Sequence, residues 1–280
     1  MSAAERRSPA MAVAVAGGTR GIGRALAREL VVRGHRVALL GRDHDQLARS
    51  AADLVARSPG GFAVPTAEID LLRPATFGPA LDAADAAFRR AGGGGVDTVV
   101  LTAAEFGTQE ELEADLDRLH RLLAADFTGS ILFCEEARRR LLASAAATAG
   151  SDEVSGGGSR DRRAGTLCVF ASVAGDRARK PVALYGAAKA GLAHYLAGVD
   201  LRYAAAGLRV LVVKPGFVRT GMTQGLPEPP FAADPEPVAR RVADALERGR
   251  AGVLYAPPIW RLVMAVIRRL PRAVMRRVRF

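Results

Sequence analysis

Residues 16–27 read AGGTRGIGRALA, with Gly17, Gly21 and Gly23 in a G-x-x-x-G-x-G spacing. An apolar run, MAVAVA (residues 11–16), comes before this stretch. A helical pattern, RALARELVVRG (residues 24–34), closes it. A glycine cluster between a strand and a helix lets the backbone turn tightly. It also lets the backbone approach a pyrophosphate, which rests on the helix N-terminus. An ordinary strand–helix turn can carry the same glycines, but the first strand–helix junction is where a dinucleotide site is expected. Thr19, Arg20 and Ile22 lie inside this turn and are assigned to the same site.

The next apolar run, RVALLG (residues 36–41), ends at Gly41-Arg42. A site selective for NAD would carry a carboxylate about twenty residues past the glycines, to bind the ribose 2′-hydroxyl. An arginine stands there instead, and Arg20 lies in the glycine turn. Two guanidinium groups suit a 2′-phosphate, which makes NADP(H) the expected cofactor and NAD(H) the lesser alternative. The other reading of both arginines is a solvated surface. Asp43 and Gln46 are spaced as a capping box, so Asp43 is expected to start a helix. Asp70, after TAEI, is placed either to meet an adenine ring or to cap the next element.

Further strand candidates are FAVPTAEI (62–69), VDTVVLTA (96–103), GTLCVFAS (165–172) and RVLVVKPG (209–216), with helical segments between them. Strands that alternate with helices and are apolar on both faces imply an α/β fold. In it, a doubly wound, Rossmann-type parallel sheet is covered on both sides. The 280 residues are 49% hydrophobic, enough for one large core. One domain is expected over residues 1–252. Residues 143–165, rich in Gly, Ser and charge, read as a flexible surface insertion within it. Cys134 and Cys168 read as buried reduced thiols of a cytoplasmic protein. The N-terminal MSAAERRSPA lacks the apolar stretch of a signal peptide. His35, His44, His120 and His194 have no ligand spacing, and no metal site is expected. The acidic run EELEADLD (110–117) reads as a solvated helix face, with Leu112 and Leu116 as an apolar pair on the other side.

Tyr185 and Lys189, in YGAAK, stand four residues apart and so share a helix face. Together with the glycine turn, Ser172 and Pro215-Gly216, in that order, this pair resembles the short-chain dehydrogenase/reductase family over residues 11–252. The resemblance implies ketone reduction. An ammonium beside a phenol favours the phenolate, so Lys189 is expected to lower the Tyr185 pKa from about 10. Tyr185 would be the general acid, and Lys189 would also hold the nicotinamide ribose. Ser172 would hydrogen-bond the substrate oxygen. Pro215, Gly216, Val218 and Thr220 match the family's nicotinamide loop, with Thr220 bonding the carboxamide. The family's N-N-A-G stretch is replaced here by Leu101-Thr102-Ala103-Ala104, with Thr102 and Ala103 kept as cofactor contacts. The family's relay asparagine is replaced by Asp126, which could hold a water or bond Lys189. The carboxylate alters the charge around the tyrosine.

The net charge is +11, and the last twenty residues carry seven arginines and no acid. Such asymmetry points to an anionic partner. Residues 253–280 are expected to form a basic amphipathic extension. Ile259, Leu262, Val263, Val266, Ile267 and Leu270 recur at helical spacing. Such a helix can lie on an anionic membrane with Trp260 at the headgroups, or dock on the protein's own core or a second subunit. The basic apolar ending is also similar to the decaprenylphosphoryl-2-keto-pentose reductases of actinobacteria. That likeness implies a lipid-linked keto-sugar substrate, a flavoprotein oxidase partner and a place on the inner face of the cell membrane. A homo-oligomer is expected, and nucleic acid is not. Two alternatives stand beside this reading. One is a soluble carbonyl or 3-oxoacyl reductase. The other is a dinucleotide-binding sensor without turnover.

Overall fold

The computed structural model describes residues 10–152 and 165–277. Its centre is a seven-stranded sheet in the order β3-β2-β1-β4-β5-β6-β7. The strands are β1 (Ala12–Ala16), β2 (Arg36–Gly41), β3 (Thr66–Glu68), β4 (Thr98–Leu101), β5 (Gly165–Phe170), β6 (Leu208–Pro215) and β7 (Gly252–Ala256). All six pairings are parallel. The strand order reverses between β1 and β4, so a crevice opens beyond their C-terminal ends, where ligands of such sheets bind.

The alternation within β1 explains the two layers. Val13 and Val15 face α1 (Gly21–Val32), α2 (His44–Arg57) and α8 (Pro235–Glu247). Ala12, Ala14 and Ala16 face the opposite layer of α3 (Phe77–Arg90), α6 (Ser130–Asp152) and α7 (Ala183–Tyr203). Small residues on that side make room for Phe77 and Phe133, whose rings meet edge to face at 5.5 Å. Each fully buried leucine of these layers contributes roughly 1.5–3 kcal/mol. Cys134 and Cys168 are both buried and free, as expected.

Several expectations need correction. The strand expected over 62–69 is only Thr66–Glu68. Pro65, which has no N–H for a ladder, stands just before it. Residues 143–152 of the expected insertion continue α6 as helix, and residues 153–164 lie outside the described residues. The extension expected from residue 253 begins inside the sheet, because β7 pairs with β6 from Leu211↔Gly252 to Pro215↔Ala256. The acidic run splits into α4 (Gln109–Ala114) and α5 (Leu116–Leu123). Asp115 takes an extended backbone there and caps α5 by accepting from the Arg118 N–H at 2.9 Å. The break separates the expected apolar pair: Leu112 is buried and Leu116 is 73% exposed.

Candidate functional site

The glycine turn after β1 is built around contacts that only glycine permits. Gly17 and Gly21 have positive φ values of 88° and 50°. A Cβ on Gly17 would lie 2.5 Å from the Ala103 nitrogen, and one on Gly23 would lie 2.3 Å from the Gly17 oxygen. Gly21 instead faces Thr220, whose methyl lies 3.3 Å from where its Cβ would be. The turn thus leads into α1 with the first N–H groups of the helix free of side-chain caps. Backbone donors and the helix dipole at this point suit a pyrophosphate. The residues present therefore fit a dinucleotide. Thr102 keeps one hydrogen bond, but it runs inward: its hydroxyl donates to the Ala16 oxygen at 2.9 Å. The Ala103 N–H goes to the same oxygen.

The two arginines lie beside this turn and are exposed. Arg20 Nε donates to Gln46 Oε1 at 2.7 Å. Asp43 caps α2 as expected, accepting from the Gln46 N–H at 3.0 Å, while the Gln46 side chain serves Arg20 rather than closing the box. Arg42 pairs with Glu105 at 3.2 Å. Asp70 follows β3, and its carboxylate is engaged locally: Oδ1 accepts from the Leu72 N–H and Oδ2 from Arg73 Nε. Asp70 does not cap the next element, the short turn Pro74–Thr76, whose N-cap is Arg73; its carboxylate closes the local turn before it. Val218 is 4% exposed and sits in the core, leaving its backbone rather than its side chain for a ligand.

Ser172, Tyr185 and Lys189 come together at the C-terminal edge of the sheet. Ser172 follows β5, and its Oγ accepts from the Ala174 N–H at 3.1 Å, which starts a short turn. Tyr185 and Lys189 project from the first turns of α7, and the Ser172 hydroxyl hydrogen-bonds the Tyr185 phenol. The Phe106 ring meets Tyr185 edge to face at 5.1 Å. Lys189 is 2% exposed, and its Nζ lies 5.6 Å from the Tyr185 ring centre. Asp126 is fully buried and pairs directly with Lys189, Oδ2 to Nζ, at 3.0 Å.

This geometry corrects the expected pKa of the tyrosine. Burial pushes the Tyr185 phenol above its ordinary value. The Lys189 ammonium pulls it down, but the Asp126 carboxylate offsets part of that pull. Lys189 is raised in turn: burial opposes its charge, but Asp126 and Tyr185 outweigh that penalty. In the unliganded site the phenol is therefore a weaker acid than Lys189 alone would make it.

The C-terminal segment closes one side of this site. Trp260, in α9 (Ile259–Ile267), is 6% exposed and packs with Val173, Met264 and Ile267. A Cβ on Gly216 would lie 1.9 Å from its indole nitrogen, so glycine is required beneath the ring. This overturns the placement of Trp260 at lipid headgroups. The inner face of α9 docks on the protein itself, while Leu262 and Val266 remain 66% and 63% exposed. Arg177 donates to the Leu270 carbonyl at 3.1 Å, and Lys180 to that of Arg276 in α10 (Arg272–Arg277). Asp176 pairs with Lys214 and accepts the Tyr255 hydroxyl at 2.6 Å, bracing the Ser172 loop against β6 and β7. No described helix is long and apolar enough to cross a membrane.

The short chain dehydrogenase family model matches residues 11–230, which include six of the seven strands and Ser172, Tyr185 and Lys189. The chain belongs to the short-chain dehydrogenases. It is an oxidoreductase dependent on a nicotinamide cofactor. It is 35% identical over 266 residues to an uncharacterised oxidoreductase of Mycobacterium tuberculosis, covering 95% of this chain and 96% of that one. It is 28% identical to carbonyl reductase family member 4 of Xenopus tropicalis, covering 84% and 90% of the two chains. Among solved structures, a short-chain dehydrogenase from Sphingobium yanoikuyae in complex with NADPH superposes with a TM-score of 0.69. The identity is 22%, and 95% and 96% of the two chains are covered. That likeness concerns the short-chain dehydrogenase fold.

Sequence reasoning missed Glu105, Phe106, Asp176 and the inward role of Trp260. Phe106 is a lone aromatic in a polar loop, and Trp260 is the only tryptophan. Each was a visible signal, but their partners lie 79 and 44 residues away in sequence, at Tyr185 and Gly216. Such distances are closed only by the sheet.

Proposed function

We propose that this short-chain dehydrogenase is an NADPH-dependent ketoreductase with Tyr185 as proton donor. The observation that carries this reading is the Ser172–Tyr185–Lys189 cluster next to a glycine cradle that no side chain could share. The bound dinucleotide supplies the hydride. Ser172 orients the carbonyl oxygen, Tyr185 protonates it as charge develops, and Lys189 keeps a positive charge nearby. Arg20 and Arg42 favour the 2′-phosphate. The NADPH complex of the Sphingobium relative accords with this choice.

Arg42→Asp is expected to weaken NADPH binding by roughly 10–100-fold, the worth of about 1.5–3 kcal/mol for a charge-assisted hydrogen bond. NADH binding should change little. Titration of nicotinamide fluorescence measures both, and equal losses would count against the assignment.

For the substrate, the reading is a 2-keto sugar carried on a polyprenyl phosphate, reduced in tandem with a flavoprotein oxidase at the cytoplasmic face of a membrane. The support is charge: α9 and α10 present Arg261, Arg268, Arg269, Arg272, Arg276 and Arg277 around exposed Leu262, Val266 and Val274, with no acid. Each arginine near an anionic surface contributes about 1 kcal/mol. A soluble carbonyl substrate is the second reading, favoured by the similarity to carbonyl reductase family member 4. Exposed Leu132 on α6 and Leu201 on α7 would be covered in a homo-oligomer. Turnover with NADPH, compared between a polyprenyl-linked keto-sugar and a panel of soluble ketones, separates the two substrates.

The membrane element has its own test. The protein is expected to sediment with anionic vesicles at low salt and to be released at high salt. Leu262→Asp/Val266→Asp should abolish binding without loss of fold, because both residues point away from the core. Equal sedimentation of this variant and the parent would count against the α9 face.

A further inference from the structure

Ser172 and Tyr185 are hydrogen-bonded to each other, so the twelve residues between them form a loop closed at the catalytic pair. Two short turns shape it. Ser172 caps Val173–Gly175, and Arg179 precedes Lys180–Val182, which runs straight into α7. The loop is held from outside by its neighbours. Asp176 pairs with Lys214 and Tyr255, Arg177 donates to the Leu270 carbonyl, and Lys180 donates to the Arg276 carbonyl. Arg179 stands between Arg177 and Lys180, yet its side chain has no hydrogen-bond or ion-pair partner among the described residues. Its Nε is nevertheless buried.

Three other described side chains carry a buried polar atom without a hydrogen bond, and each has an evident reason. Arg140 places its other guanidinium nitrogens on Glu136, Asp82 and the Gly78 carbonyl. Asp126 Oδ2 lies against the Lys189 ammonium. The Trp260 indole is neutral, and its ring is packed over Gly216. Arg179 is different: it is a charge drawn partly out of water with no opposite charge beside it. Burial is the one influence on its titration and pushes it below the ordinary arginine value. An uncompensated charge in such a place is costly. Groups of this kind gather at functional sites.

The place of Arg179 in the loop narrows the ligand. From Arg179 to Tyr185 the chain is a 3₁₀ turn followed by the start of α7. At about 2.0 and 1.5 Å per residue, the two Cα atoms stand roughly 10–12 Å apart. We propose that Arg179 is a specificity-determining residue that binds an anionic oxygen group, phosphate or carboxylate, carried by the ketone several bonds from its carbonyl. The proposal rests on the reading of Ser172 and Tyr185 as the carbonyl site. A guanidinium presents a planar fork that meets either group with two parallel hydrogen bonds. Arg177 and Lys180 anchor the backbone on either side of it to the C-terminal segment.

The test uses protein saturated with NADP⁺, so that the cofactor's own phosphate sites are filled. Phenyl phosphate and benzoate carry the charge but no ketone, and calorimetry reads their binding to the parent, Arg179→Met and Arg179→Lys. The parent is expected to bind at least one of them. Arg179→Met should weaken that binding about 10–100-fold, the worth of a charge-assisted hydrogen bond, and Arg179→Lys by less. The thermal midpoint of Arg179→Met should equal or exceed the parent's, because an uncompensated charge has been removed. A midpoint several degrees lower would mark a structural arginine and overturn the proposal. No binding of either anion, or equal binding by the parent and Arg179→Met, would do so as well. Turnover with NADPH is then compared for para-acetylphenyl phosphate, para-acetylbenzoate and the neutral para-hydroxyacetophenone. Arg179→Met should raise KM for the preferred anionic ketone about 10–100-fold and leave the neutral ketone within a few-fold. The ketone that the parent prefers tells phosphate from carboxylate. Equal losses for charged and neutral ketones would overturn the proposal. A failure of the ketoreductase reading would show itself separately: the parent would reduce none of the three ketones while anion binding through Arg179 persists.

Discussion

Tyr185→Phe is expected to reduce ketones about 10²–10⁴-fold more slowly than the parent, the usual contribution of a positioned general acid. The phenyl ring still fills the space against Phe106, so the local packing survives. Only the proton donor and its hydrogen bond to Ser172 are lost. Cofactor affinity should stay within a few-fold, because the glycine turn and Lys189 are untouched. Single-turnover oxidation of NADPH measures the first effect and fluorescence titration the second. Turnover within tenfold of the parent would mean that another acid serves. Lys189→Met should behave differently, because it leaves Asp126 buried without its counter-charge. Breaking a buried pair from one side costs roughly 3–5 kcal/mol, so that variant loses stability as well as activity.

Trp260→Ala is expected to destabilise the protein by about 3–5 kcal/mol, the range for deleting a large buried aromatic ring. The ring is 6% exposed and packs with Val173, Met264 and Ile267, so its loss leaves a cavity that those neighbours fill only in part. The cavity would open under Gly216 and beside Val173, the residue after Ser172. Activity should therefore fall together with stability. Ending the chain at Pro258 removes Trp260, Met264 and Ile267 at once and should be worse than the point substitution. Denaturant unfolding measures the loss. A truncated chain as stable as the parent, still reducing a small ketone, would show that α9 is dispensable to the catalytic end of the sheet.

The parallel sheet, the glycine turn and the Ser172, Tyr185 and Lys189 cluster were legible in the sequence because each depends on local rules. Apolar alternation makes strands. Glycine at positive φ makes the turn after β1. A four-residue spacing puts Tyr185 and Lys189 on one face of α7. The cap at Asp43 is local in the same way. The acidic run was misread because Asp115 ends one helix and starts another, so helical spacing across it carries no meaning. What the sequence could not decide was which charges and faces would meet after folding. Asp126 and Lys189 lie 63 residues apart, and only the π-helical turn Ala124–Gly129 brings the carboxylate inward to the ammonium. The C-terminal segment had two possible uses for one apolar stripe, lipid or protein. The sequence sets the period of that stripe but not what covers it. Folding places β7 beside β6, which delivers α9 directly over Gly216. Packed there, the Trp260 ring is taken almost wholly out of water. The outer face of the same helix keeps its arginines in solvent because no described part of the chain packs on it.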